Sequence, residues 1–368
     1  MPSVDKPVPF LNLTDEFARL EKEWLQDISE TGKRGSFILG PNVQAFESEF
    51  AEAVGVKHAI SVANGTDALI LSLRALGIGP GDEVITSPFT FFASAEAINI
   101  VGATPVFADI EKDSFCLDPD SVEKFISERT RAIIPVHIFG HAARMDRFQQ
   151  IAEKHNLKIV EDCAQAYGAR FNGKMVGSIG DTGCFSFYPT KVLGGYGDGG
   201  MITTNSSEVD EHLRRLRNHG AVKPFIHTEI GYNSRLDEIQ AALLRRKLRT
   251  IDQAIESRRK VAAAYNERLG DSGIVLPPVV EAEQHAYNLF TIRIADRDGV
   301  RQSLTDRQIA TALCYPQGLH QQEVYTSLNY KPGSLPVTEH ACTEVMSLPI
   351  YPGMPESDID TVCKALIS

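Results

Sequence analysis

Between about residue 56 and residue 205, short apolar runs alternate with stretches in which apolar residues recur at spacings of three and four. The first pattern suits buried strands and the second amphipathic helices, and their alternation predicts βα units building a mostly parallel sheet. The candidate strands are His58–Ala63, Glu83–Thr86, Thr104–Ala108, Ala132–His137, Lys158–Glu161, Gly183–Phe187 and Gly200–Thr203. Helices are expected over Thr66–Leu76, Ser94–Val101, Pro119–Arg129 and Met145–His155. Several strands end in a polar residue or glycine, and ligand groups of α/β proteins gather at those carboxyl ends, so that is the face to search.

From Ser234 to Gly270 the pattern becomes one long helical run closing on a glycine, which reads as a connector. Beyond it lie a strand signal (Leu289–Ile294), a helix signal (Val300–Leu313), Pro-rich turns and a terminal helix (Glu356–Ile367). The expectation is a large domain over 1–249, including the N-terminal segment, with a mostly parallel seven-stranded sheet flanked by helices. A smaller C-terminal α+β domain follows over 250–368. There is no repeat and no low-complexity segment.

Composition narrows the class of function. With 368 residues and 43% hydrophobic content the chain can bury a full core. Its 37 Lys and Arg stand against 48 Asp and Glu, a net charge of −11, which leaves no electrostatic footprint for nucleic acid or an anionic membrane surface. Six cysteines without a CxxC pair read as reduced thiols. The first ten residues carry prolines and charges in place of a leader's basic start and apolar run, and no apolar stretch is long enough to cross a bilayer. A soluble, cytoplasmic protein is expected. His137, His141 and His219 lack metal-ligand spacing and read as hydrogen-bonded structural residues, so no metal is expected.

Three segments could carry chemistry. In Ala63-Asn64-Gly65-Thr66-Asp67-Ala68-Leu69 a strand ends in a glycine turn and a helix begins. Plain N-capping explains such a turn, but the free N–H groups and the partial positive charge of a helix N-terminus also suit a phosphate. In Ile159-Val160-Glu161-Asp162-Cys163-Ala164-Gln165 two acids close an apolar strand. An Asp there is ordinarily a cap or turn residue, while a buried one can keep a pyridinium nitrogen protonated and make a bound ring an electron sink. In Gly183-Cys184-Phe185-Ser186-Phe187-Tyr188-Pro189-Thr190-Lys191, followed by a glycine-rich run to Gly200, a strand leads into a turn presenting one lysine. Most lysines are solvated surface groups, but one held in a cleft can form a Schiff base with an aldehyde.

Together the segments supply what pyridoxal 5'-phosphate (PLP) requires: a phosphate cradle, an acid for the ring nitrogen and an imine-forming lysine. Through ANGTDAL, EDCAQAYGA, FSFYPTK, YGDGG, GYNSRLDEIQAA and MSLPIYP, spanning nearly the whole chain, the sequence resembles the DegT/StrS family of PLP-dependent nucleotide-sugar aminotransferases of the aspartate aminotransferase-like fold. The resemblance implies that Lys191 forms the internal aldimine, that Asp162 pairs with the pyridine nitrogen and that Gln165 bonds the ring hydroxyl. It further implies that Gly65, Thr66 and Ser186 bind the phosphate, with Asp67 contributing its backbone N–H, and that Phe91 stacks on the ring. Asn233 would reach the phosphate of a neighbouring subunit's cofactor, and Arg235 and Tyr315 would lie near the substrate, so the active unit is expected to be a homodimer with shared sites. Read without the resemblance, Phe91 beside Phe92 could be core packing, Asn233 a helix cap and Ser186 an ordinary strand residue.

The implied reaction is a ping-pong transfer of an amino group from L-glutamate to a nucleotide-linked ketosugar. Tyr188-Pro189 and Gly197-Asp198-Gly199-Gly200 resemble members acting on 3-ketosugars, with either a UDP-linked 2-acetamido-3-oxo sugar or a dTDP-linked 3-oxo-6-deoxyhexose as substrate; 4-amino members more often carry Glu in place of Asp198. One departure weighs against a uronic acid. Where many relatives place a His before the Tyr-Pro pair, this chain has Cys314, and a thiol is no cationic donor to a carboxylate. The alternatives are a 4-ketosugar aminotransferase, a PLP-fold sugar dehydratase, which Lys191 argues against, a short-chain amino acid aminotransferase, and a non-enzymatic regulatory relative, which would not need Lys191, Asp162 and Ser186.

Overall fold

The computed structural model describes residues 6–278 and 285–367. Its centre is a seven-stranded sheet made of β1 (His58–Val62), β2 (Glu83–Thr86), β3 (Thr104–Phe107), β4 (Thr130–Ile134), β5 (Lys158–Asp162), β6 (Thr182–Ser186) and β7 (Gly200–Thr204). The spatial order is β1-β7-β6-β5-β4-β2-β3. Neighbours from β3 across to β6 run parallel, while β7 is antiparallel to both β6 and β1. The strands are apolar along their length because both faces are covered. Ile85, Ile133 and Ile159 pack on one side with Phe148, and Val84, Ala132, Ile134 and Val160 pack on the other with Leu69 and Ile98.

The helices of this part begin with α1 (Leu13–Arg34) and α2 (Pro41–Val54), neither of which the sequence reading picked out. They are followed by α3 (Gly65–Ala75), α4 (Ala93–Ile100), α5 (Pro119–Phe125), α6 (Met145–His155) and α7 (Ser207–Leu216). The helix expected to run to Arg129 stops at Phe125 because hydroxyls take over the backbone: Thr130 Oγ1 accepts from Ser127 N–H at 2.9 Å, and Ser127 Oγ donates to Glu83.

The expected single helix from Ser234 to Gly270 is two, α8 (Glu238–Leu248) and α9 (Ile251–Leu269). At the break, Thr250 Oγ1 donates to the Lys247 carbonyl, and the chain restarts with Thr250 as the cap of α9. Ser234 is non-helical because its hydroxyl bonds residues of the first βα turn. The buried Glu238 carboxylate accepts the N–H groups of Asn42 (2.6 Å) and Val43 (3.0 Å), tying α8 to the start of α2.

The C-terminal part holds an antiparallel pair, β8 (Phe290–Arg293) and β9 (Val345–Leu348), with α10 (Arg297–Asp306), α11 (Pro336–Glu344) and α12 (Glu356–Ile367). Helix α10 ends before the expected Leu313 because residues 308–310 instead pair with Val8, which exchanges backbone bonds with Gln308 and Ala310. Val8 thereby joins the core formed by Tyr265, Phe290, Leu304, Met346, Ile359 and Val362. Among the described residues, no helix is long and apolar enough to cross a membrane.

Candidate active site

A cavity of about 710 Å³ opens at the carboxyl ends of the parallel strands. It is lined by Gly65, Thr66, Asp67, Phe91, Asp162, Gln165, Ser186 and Lys191 among the residues singled out from the sequence, together with Asn64, Thr90, Ser94, Glu96 and Asp198.

At one end lies the N-terminus of α3. Asn64, just before it, caps the helix by accepting from Asp67 N–H at 2.8 Å, which leaves Gly65 and Thr66 as the first helical residues against the cavity. The Asp67 carboxylate is held aside: Ser234 Oγ donates to it at 2.5 Å and itself accepts from Ala63 N–H at 3.1 Å. Gly65 has to be glycine, because a Cβ there would stand 2.7 Å from Ser186 Cβ. A small residue on α3 thus lets the Ser186 hydroxyl sit beside the helix terminus, which makes a cradle for an anion.

Asp162, at the end of β5, is 5% exposed. Ser94 Oγ donates to its Oδ2 at 2.7 Å and Ala164 N–H to its Oδ1 at 3.1 Å. Burial raises the Asp162 pKa; the two hydrogen bonds and the charge of Lys191 oppose that shift. Lys191 follows the turn after β6, where its N–H donates to the Tyr188 carbonyl at 2.9 Å. Burial lowers its pKa against the opposing pull of Asp162 and Cys314, so its amine is neutral, and nucleophilic, at lower pH than that of a solvated lysine.

Gln165 is oriented at both ends of its amide. Its Oε1 accepts from Phe139 N–H at 2.8 Å and its Nε2 donates to Tyr315 Oη at 3.0 Å. One amide proton of Nε2 remains for a ligand. Tyr315 touches the site through Gln165 and is not among the lining residues. The aromatic pair after Pro88 divides its tasks: Phe91 is 61% exposed at the cavity wall, while Phe92 packs on Tyr325 with ring centroids 5.8 Å apart. Asn233 and Arg235 are not brought to this cavity; Asn233 is exposed and bridges to Asn218, and Arg235 donates to Asn218 Oδ1 at 2.7 Å.

His137, Glu161 and Cys163 come close enough together to hold an ion, but the ligand atoms of His137 and Glu161 are already occupied. Glu161 accepts from the N–H groups of Gly177, Ile179 and Gly180 and from His137 Nε2, and His137 Nδ1 accepts from Ala143 N–H. His137 is therefore a structural residue, and His141 and His219 do not line the cavity. The sequence reading missed Thr90 and Ser94; the only signal was two hydroxyls four residues apart flanking Phe91.

The fold and the cleft together define an α/β protein with a lysine, a buried acid and a phosphate-type cradle at the ends of parallel strands. The chain belongs to the DegT/DnrJ/EryC1/StrS aminotransferase family, whose description matches residues 18–367. It is 45% identical to a Geobacillus stearothermophilus protein described as a pleiotropic regulatory protein, over 95% of both chains. It is 44% identical to the UDP-N-acetyl-3-dehydro-alpha-D-glucosamine 3-aminotransferase of Acidithiobacillus ferrooxidans, over 98% of this chain and 97% of that one. The crystal structure of S. venezuelae DesV in complex with a ketimine intermediate superposes with a TM-score of 0.95 at 43% identity, covering 98% of each chain. That of ntda from Bacillus subtilis with bound PMP superposes with a TM-score of 0.91 at 30% identity, covering 99% of this chain and 86% of that one.

Proposed function

We propose that the protein transfers an amino group from L-glutamate to C3 of a nucleotide-linked ketosugar. The observation that carries the reading is the opening of Lys191, Asp162 and the α3 N-terminus onto one cavity. The cofactor is pyridoxal 5'-phosphate, and the residues present fit it: the glycine-dependent cradle at Ser186 suits a phosphate, and the buried Asp162 suits a cationic ring nitrogen. When bound, PLP supplies an electron sink that allows a proton to leave the carbon bearing the transferred nitrogen.

In this reading the chain's own residues do the rest. The α3 N-terminus binds the phosphate, with the Thr66 and Ser186 hydroxyls as added donors. Asp162 holds the proton at the ring nitrogen, and the free amide proton of Gln165 Nε2 bonds the ring hydroxyl. Phe91 covers one face of the ring and excludes water. The Lys191 amine, whose pKa burial lowers, anchors the cofactor and, once displaced by the donor's amine, moves the proton as general base and acid.

The reading requires a second copy of the chain. Asp67, Glu96, Asp162 and Asp198 line the cavity with Lys191 as the one cation among the described lining residues, which is a poor surface for a nucleotide diphosphate. The segment before Asn233 and Arg235 exposes Phe225 (94%), Ile226 (52%) and Ile230 (85%), as a segment covered by a partner would. We therefore assign Asn233 and Arg235 to the neighbouring subunit's site in a homodimer. The division near residue 250 into a cofactor-binding and a smaller domain belongs to the same reading, supported by the α8–α9 break and by a separate core whose buried residues, Val8 excepted, all lie beyond it. A cytoplasmic location suits the six unpaired cysteines.

Amination at C3 is supported by the likeness to the 3-aminotransferase and by the Asp198 motif. The test is to supply glutamate with a UDP-linked 2-acetamido-3-oxo sugar or a dTDP-linked 3-oxo-6-deoxyhexose, each beside its 4-oxo counterpart, and to locate the new C–N bond by NMR. Product aminated at C3 from either 3-oxo substrate is expected. Turnover confined to the 4-oxo sugars would overturn the assignment.

A further inference from the structure

We propose that Thr90 and Ser94 are positioning residues, a two-hydroxyl relay that ends on Asp162 and keeps its carboxylate an acceptor towards the cavity. The proposal rests on the reading of Asp162 as the partner of the ring nitrogen.

Both side chains line the cavity and are buried, Thr90 to 2% and Ser94 to 1% exposure. Ser94 Oγ lies 2.7 Å from Asp162 Oδ2, and Thr90 Oγ1 lies 3.0 Å from Ser94 Oγ. Each hydroxyl has one proton to give. With the Ser94 proton on Asp162, the Thr90 proton points to Ser94, and the chain has one direction: Thr90 to Ser94 to Asp162. A proton on Oδ2 that pointed to Ser94 would reverse the Ser94 link and leave the Ser94 proton to find another acceptor, which Thr90 becomes only if the second link reverses too. On the other oxygen the Ala164 N–H, a donor that cannot reverse, already occupies part of Oδ1.

The relay answers a physical problem of the site. A carboxylate this deep is pushed towards its neutral form by burial. A neutral Asp162 would meet a ring nitrogen as a competing donor, or leave it unprotonated. Hydrogen bonds given to the anionic form favour that form, and a chain of hydroxyls polarises each successive link. Geometry supplies the second support. Thr90 and Ser94 sit one helical turn apart across the start of α4, and Ser94 directs its proton to a residue 68 positions away instead of to a local backbone carbonyl, the usual outlet for a serine on a helix. Phe91 lies between them, so one short segment would cover the ring and hold the acid beneath it.

The test uses the full chain loaded with PLP carrying ¹⁵N in the ring and reads the ring nitrogen's chemical shift in the bound form. Wild type is expected at the protonated position. Ser94→Ala should move the shift downfield towards neutral pyridine, Thr90→Val should move it the same way by less, and Thr90→Ser should restore the wild-type value. A role confined to packing would lower stability or cofactor occupancy and leave the shift of the bound fraction in place. Should Ser94→Ala fail to fold, the Thr90→Val and Thr90→Ser pair decides alone. Asp162→Asn separates the two claims. A protonated shift in that variant overturns the reading of Asp162 itself. A neutral shift there, with wild-type shifts in both Ser94→Ala and Thr90→Val, overturns the relay alone.

Discussion

Glu161 and Asp162 are neighbours on β5, both buried, and point to opposite faces of the sheet. Glu161 faces the loop before β6 and accepts four hydrogen bonds, two on each oxygen. Asp162 faces α4 and the cavity and accepts two, one on each oxygen. An ionised carboxylate has room for about four donors. The first acid is therefore saturated by the fold, and the second keeps about half its capacity for whatever enters the cavity. Burial alone does not mark an acid as functional; unfilled acceptor capacity facing a cavity does.

The sharpest way to break this comparison is to remove each charge in turn. Asp162→Asn is expected to lower kcat/KM by about 10³-fold, the scale of losing a preorganised electrostatic partner. Folding of the cofactor-free protein should not suffer. Because the folded-state pKa of Asp162 is raised, its stabilising contribution is present below the unfolded pKa and is lost as pH rises through the folded one. At neutral pH the buried carboxylate therefore costs stability, and thermal melts of the cofactor-free variant should match or exceed wild type there, with the difference closing in acid. Glu161→Gln should do the reverse. It sets an amide N–H₂ against backbone donors and is expected to cost about 3 kcal/mol in urea unfolding, while the folded fraction keeps its turnover.

Smaller effects sharpen the same contrast between committed and open groups. Gly65→Ala drives a Cβ against Ser186 and is expected to raise the PLP dissociation constant about tenfold in a fluorescence titration. Tyr315→Phe removes the acceptor of one Gln165 amide proton and should lower kcat/KM about fivefold, one ordinary hydrogen bond. A Tyr315→Phe loss as large as that of Asp162→Asn would show that the tyrosine meets the substrate itself.

The parallel sheet was legible because its strands are short apolar runs closed by glycine or polar residues, and covered on both faces they need no alternation. Helix α1 was legible and overlooked: Leu13, Phe17, Leu20, Trp24 and Ile28 recur at spacings of three and four, and Asn12 and Gly35 cap it, although Thr31 is its one fully buried residue. The break near Thr250 was hidden because a hydroxyl competing for a carbonyl leaves the helical periodicity intact. At the site, Gly65, Asp162, Ser186 and Lys191 could be read as a group because each sits at the carboxyl end of a strand or within a few residues beyond it. Thr90 and Ser94 could not, since what distinguishes them from any buried hydroxyl pair is a contact with a residue far along the chain. Asn233 and Arg235 came from resemblance alone, and one copy of the chain leaves them outside the cavity.

The central claim is that Lys191 anchors PLP and returns it aminated after reaction with a donor. Its most direct test is the visible absorption spectrum of the PLP-loaded protein, with and without L-glutamate, beside Lys191→Ala. The expected result is a yellow, lysine-dependent band that glutamate bleaches in wild type only. A loaded wild type whose spectrum matches that of Lys191→Ala would contradict the account.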